Sequence, residues 1–413
     1  MPGFGAPVAV STEWPGAEPV IASASDGTLY IEGLGGSAQG NVNKAWRSTD
    51  DGATWVDITP PLVGERPTND GFLAVGNRDT VYVQNVWGLT FQLFRSDDRG
   101  ATWLLLPTPK LPLLMHRNWI VPLGDATLHV VMEALPPSFA PALVGGPQLP
   151  LATPNEGLWY LRSDDRGLTW TVPRQIDPVV NFAGQGNLVV SQDGQALYVL
   201  RYEDERGSDP SYERGLWYLL ASEDGGATWE RRDAFALTSE LASAVEPLAL
   251  DPTGTLYMAW SQALDGRSQL HFATSRDGGM SWSAPRLLAP SSGTQAMPWL
   301  ASPASGELRV VWYEADANVT APKADAPWFA HAARITGADT DAPAVAAQRV
   351  TPEPVHEGNI CAKGPACGQG EDRRLLDYPW IVVGPDGRSH LVVASTEWDL
   401  PSAFAVYAGE LPG

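Results

Sequence analysis

Six residues offer oxygen chemistry near the ends of apolar runs: Glu133, Glu203, Glu246, Tyr313, Glu314 and Asp377. Two carboxylates flanking one bond support general acid–base cleavage of a glycosidic linkage. Tyr313 beside Glu314 would supply a nucleophile next to a base. Neighbours on a strand point to opposite faces, so that pair needs a bend to act together; otherwise both are ordinary loop residues. A second set suits ligand binding. Arg117, Arg201, Arg373 and Arg374 can fork onto an anionic group. Trp119, Trp299, Tyr378 and Trp380 offer ring faces for a sugar, and Asp70, His116 and Asn187 add hydrogen-bonding groups. The segments HRNW (His116–Trp119) and DRRLLDYPW (Asp372–Trp380) both place a basic residue ahead of an aromatic one. The plainer alternative is that these arginines bond carbonyls and Asp377 and tie structural elements together.

The elements that position these groups are repeated. Five copies of Ser-x-Asp-x-Gly-x-Thr/Ser-Trp run through the chain: STDDGATW, SDDRGATW, SDDRGLTW, SEDGGATW and SRDGGMSW, with their aspartates at Asp50, Asp98, Asp165, Asp224 and Asp277. Before each lies an apolar strand, a Gly/Asp turn and an alternating strand, as in VIASASDGTLYIEG from Val20 and NLVVSQDGQALYVL from Asn187. Two more such hairpins, from Trp299 and Trp380, have no box after them. Strand, tight turn and strand with period-two alternation is a hairpin signal. A further strand leads into each box and another follows its Trp. The repeat therefore predicts an all-β array of four-stranded antiparallel units.

There are seven such units, and the last lacks a fourth strand. The N-terminal PVAVS (Pro7–Ser11) supplies it. Closing the ring this way removes exposed sheet edges. The expectation is one seven-bladed β-propeller over residues 1–413 with N-to-C strand closure; six blades plus a separate hairpin is the alternative. The longer insertions fall at Ala134–Glu156, Glu203–Arg214 and Asp316–Glu371. Within the box, Asp and Gly suit a turn and Trp packs between sheets, so the boxes read as fold elements. Inner strands begin, and second strands end, on the face away from the boxes. That gathers the candidate residues above, with Glu32 and Asn85, around one mouth of the channel.

The box pattern resembles the Asp box, or bacterial neuraminidase repeat, of the sialidase superfamily, and with its hairpins the resemblance spans essentially the whole chain. It implies an Asp-box propeller whose ligand site lies opposite the boxes. It also implies a sialidase-like, carbohydrate-active protein that hydrolyses or eliminates at a glycan; the alternative is a non-catalytic binding or assembly scaffold. The sialidase pattern departs here. No Arg-Ile-Pro precedes the first box, and Arg334-Ile335 is followed by Thr336. No catalytic residue is carried over by motif, and seven blades differ from the six of the sialidases themselves.

Composition narrows the partners. A net charge of −21 over 413 residues excludes a general nucleic-acid binder, and 44% hydrophobic residues indicate a folded chain. No apolar run reaches the length of a membrane span. The expected partner is a glycan or another small polar ligand, bound by a monomer with no cofactor and no metal. The two cysteines, Cys361 and Cys367, can close a small disulfide loop or remain free thiols. A disulfide favours a secreted or periplasmic protein whose signal has been removed, since Met1-Pro2-Gly3 opens no signal peptide; the cytoplasm is the other possibility.

Overall fold

In a computed structural model, seven small antiparallel sheets stand in a ring. The structure describes residues 3–35, 42–61, 69–87, 90–109, 115–134, 157–179, 185–204, 215–237, 245, 247–361, 367, 370–375, 377–397 and 403–413. The inner strands of blades one to seven are Ala17–Ser23, Asn69–Val75, Met115–Leu123, Gln185–Val190, Leu248–Leu250, Thr294–Ala304 and Trp380–Val383. Blade seven is completed by Val8–Ala9, with Val8 opposite Tyr407 and Ala9 opposite Val406. This is the N-to-C closure that the unfinished last repeat requires. Among the described residues, no helix is long and apolar enough to cross a membrane.

One region differs from the sequence reading. The stretch Asp316–Glu371, expected from the sequence to be an insertion, contains the outer half of blade six. Ala326–Thr336 and Ala344–Arg349 are its third and fourth strands, and His356–Gly358 adds a fifth segment beside Ala326–Trp328. No box marks this turn, and the buried positions Ala330, Ala332 and Ala333 are too small to announce an apolar face. Cys361 and Cys367 are joined in a disulfide just beyond it.

Each box is a closed hydrogen-bond unit. In the second, Asp98 Oδ1 accepts from Ser96 Oγ at 2.8 Å and from Thr102 N at 2.8 Å, while Asp98 Oδ2 accepts from Thr102 Oγ1 at 2.6 Å. These bonds, the Thr102 hydroxyl foremost, pull the Asp98 carboxyl down to about 2. The Thr228 hydroxyl does the same for Asp224. A depressed folded-state pKa stabilises above the unfolded value of about 3.9, and the contribution fades as pH falls toward 2. Asp98→Asn should therefore be less stable than wild type at pH 7, with the gap closing below about pH 4, as urea midpoints across that range would show. A gap independent of pH would refute this.

The boxes also latch one blade to the next. Tyr160 of blade three donates to the Gly225 carbonyl in the box of blade four at 3.2 Å, and Tyr407 of blade seven donates to Asp51 O in the box of blade one at 3.2 Å. Behind these tyrosines stand His129 and His390, each with Nδ1 2.8 Å from the hydroxyl. Burial brings His129 down to about 4, so its imidazole is neutral. These histidines are parts of the latch.

Candidate functional site at the channel mouth

Antiparallel topology puts the box turns and the inner hairpin turns on one face, and the starts of the inner strands on the other. At those starts the chain repeats an irregularity. Pairing slips at Ala17/Val20, Asn69/Gly71, His116/Asn118 and Ala296/Trp299. Each slip holds a non-glycine residue at positive φ: Glu18 (44°), Asp70 (31°), Arg117 (44°) and Met297 (53°). Such conformations cost about 1–3 kcal/mol each and persist where the surroundings enforce them; a bulge re-aims its side chain.

The re-aimed groups meet across the ring. Arg117, from blade three, is ion-paired with the fully buried Asp377 at the entry to blade seven. Arg373 reaches the same carboxylate, its Nη2 3.3 Å from Asp377 Oδ2. Asp70 Oδ2 accepts the Arg117 amide at 3.2 Å. Buried Glu18 lies in the field of Arg117, Asp70 and Arg373. Burial raises its carboxyl pKa, and Arg117 opposes that rise. Burial holds the Tyr378 phenol well above its usual range, and the negative charge of Glu18 adds to this. Glu32 is also pushed well up by burial, against a hydrogen bond from Asn43, and Asn43 Nδ2 in turn donates to Asn85 Oδ1 at 2.6 Å.

Beneath this cluster the axis is filled with rings. Trp299 stacks on Trp380 at 4.0 Å between centroids, and Trp119 lies 5.8 Å from Trp299 and 5.9 Å from Trp380. Phe72 meets Trp119 edge-on at 5.2 Å, and Tyr378 lies 5.1 Å from Trp299. Trp119 and Trp299 are each only 2% exposed. The ring faces expected to receive a sugar are spent largely on one another, and they form the floor of the mouth.

The remaining candidates are dispersed. Arg201, with no exposed surface, is bound to Glu133 at 2.6 Å and Asp177 at 3.1 Å between blades three and four. Glu203 pairs with Arg231 at 2.6 Å. Asn187 bonds both the N–H and the carbonyl of Leu248, stitching blade four to blade five. Tyr313 and Glu314 point to opposite sides of their strand. The Tyr313 hydroxyl is buried against the Ala394 backbone, with the Ala394 N–H donating to it at 2.9 Å. Glu314 accepts from Ser291 Oγ, from Gln295 Nε2 at 3.0 Å and from Trp312 Nε1 at 2.8 Å. The structure therefore does not bring this pair together. Arg374 turns to Asp372 at 2.6 Å. Glu246 and the His116 side chain lie outside the described residues.

Sequence reasoning missed Glu18, because the first hairpin was begun at Val20. The signal was present. Glu18-Pro19-Val20 has the same form as Asp70-Gly71-Phe72, Arg117-Asn118-Trp119, Met297-Pro298-Trp299 and Tyr378-Pro379-Trp380.

The model of the BNR repeat-like domain family matches residues 80–391. The chain belongs to that family. No curated protein matches it. Among solved structures, the BNR repeat-like chain is similar in fold to the endosialidase of phage phi92, with a TM-score of 0.53 and 11% identity, over 100% of this chain and 70% of that one. It is also similar to a protein of unknown function from Dyadobacter fermentans DSM 18053, with a TM-score of 0.50 and 16% identity over 100% of both chains. At these identities the likeness is one of fold.

Proposed function

We propose that this propeller is carbohydrate-active and receives an anionic glycan at the mouth opposite the boxes. The observation that carries this is the meeting of Arg117 and Arg373 on one buried carboxylate, with Arg373 still 37% exposed. Two guanidiniums sharing one carboxylate, Arg117 buried and Arg373 reaching solvent, can fork onto a sugar carboxylate or sulfate. The fold likeness to an endosialidase and membership of the BNR family support the substrate class. If the ligand is cleaved, Glu18 is the group whose burial tunes it toward proton donation. A binding-only reading has its own support, because Glu133, Glu203 and Asp377 are paired to arginines and Glu314 is held by three donors.

An array of acidic and neutral glycans, followed by fluorogenic glycosides, tests both readings. Arg373→Ala should weaken binding of acidic glycans about 10- to 100-fold, the worth of one charge-assisted hydrogen-bond pair. Turnover that disappears in Glu18→Gln would select the enzymatic reading, and binding without turnover the other. If wild type retains no acidic glycan, or Arg373→Ala retains them equally, the mouth is not the site.

A further inference from the structure

A groove of about 380 Å³, lined by none of the mouth residues, lies at the seam where the N-terminal strand of blade seven meets blade one. Its walls include Trp14, Trp46, Trp55, Ser11, Glu13 and Asp57. Trp46 is buried and belongs to the core. Trp55 is a box tryptophan, tied by Nε1 to Gly52 O at 3.1 Å and edge-on to Tyr407 at 5.4 Å. Trp14 belongs to no repeat. A local turn presents it, with Ser11 Oγ accepting from the amides of Glu13 at 3.2 Å and Trp14 at 3.1 Å. Lys44 closes one side, its ammonium 4.3 Å from the Trp14 ring centre and 3.0 Å from Asp57 Oδ2.

We propose that this groove is a binding site for a neutral saccharide, separate from the channel mouth. Its volume falls within the range of small-molecule sites, about 300–1,000 Å³. Trp14 sets an indole beside carboxylates and hydroxyls, the pairing that suits the apolar face and hydroxyl edge of a sugar ring. An anion meets Glu13 and Asp57 on a chain of net charge −21. A cation meets the like charge of the Lys44 ammonium beside the Trp14 ring. An uncharged, hydroxyl-rich ligand is the class that meets neither obstacle.

Isothermal titration calorimetry with maltohexaose, cellohexaose, xylohexaose and mannohexaose tests the site on the full chain. At least one probe should bind at millimolar affinity or better. Trp14→Ala should weaken it about tenfold, as loss of a ring platform does, while Trp14→Phe loses about threefold or less. Should Trp14→Ala fail to fold, Glu13→Ala is the second variant; its exposed side chain lies outside the core, and it should also lower the affinity. Arg373→Ala should bind these probes as wild type does, which separates this site from the mouth. The proposal is overturned if no probe binds, if Trp14→Ala and Glu13→Ala both bind like wild type, or if Arg373→Ala abolishes the binding.

Discussion

Arg201→Met will destabilise the propeller by about 3–5 kcal/mol, measured as a loss in urea-unfolding free energy, the magnitude found when a buried ion pair loses one partner. Arg201 has no exposed surface, and its guanidinium satisfies Glu133 Oε2 at 2.6 Å, Asp177 Oδ2 at 3.1 Å and the Val179 carbonyl at 2.6 Å. Asp177 also accepts the Tyr218 hydroxyl at 2.6 Å. Methionine fills much of the volume and leaves two buried carboxylates without their cation. Arg231→Met provides the contrast. That residue pairs with Glu203 at 2.6 Å, but the two side chains are 36% and 39% exposed. Water screens such a pair, so the loss should stay below about 1 kcal/mol. Equal losses in the two variants would mean that burial of the Arg201 network contributes nothing.

Gly226→Ala should cost about 2–5 kcal/mol, the sum of a left-handed backbone penalty and an overpacking term. Gly254→Ala isolates the first of these. The two glycines have almost the same backbone, φ +89° in the box of blade four and φ +91° in the inner hairpin of blade five. A Cβ at Gly226 would lie 2.3 Å from the ring of Tyr160, whereas one at Gly254 meets nothing within 4 Å. Gly254→Ala should therefore cost only about 1–2 kcal/mol. The same clash recurs at Gly52 against Tyr407, Gly100 against Ile58, Gly167 against Leu106 and Gly279 against Leu219, each partner belonging to the preceding blade. Thermal unfolding of the two alanine variants side by side decides the point: equal midpoints would remove the packing role of the box.

That result bears on what a box is for. In the sequence it is a turn with an aspartate and a glycine. In the ring it is also a wedge whose missing Cβ lets the previous blade approach. The turn chemistry could be read from eight residues. The wedge could not, because its partner is supplied by another repeat.

The sequence alone determined the blades and the closure, and it pointed to seven blades over six. Each hairpin is specified by period-two alternation and a tight turn, and each box by bonds spanning four residues, so the information is local. It weakened where local signals were weak, as in the alanine-rich outer strands of blade six, which lack a box. It also determined which face the inner strands open onto, because antiparallel order fixes that. The tertiary structure decided which charged groups are clamps and which form the mouth. Arg201 and Arg117 look alike as arginines at strand ends. One is locked between adjacent blades by Glu133 and Asp177; the other, aimed by a bulge, meets Asp377 from 260 residues away. Likewise, Trp119, Trp299 and Trp380 became a floor because three blades deliver them to one axis. A side chain's role depends on the dielectric and the partners around it. In a closed ring those come from blades that the local sequence does not specify.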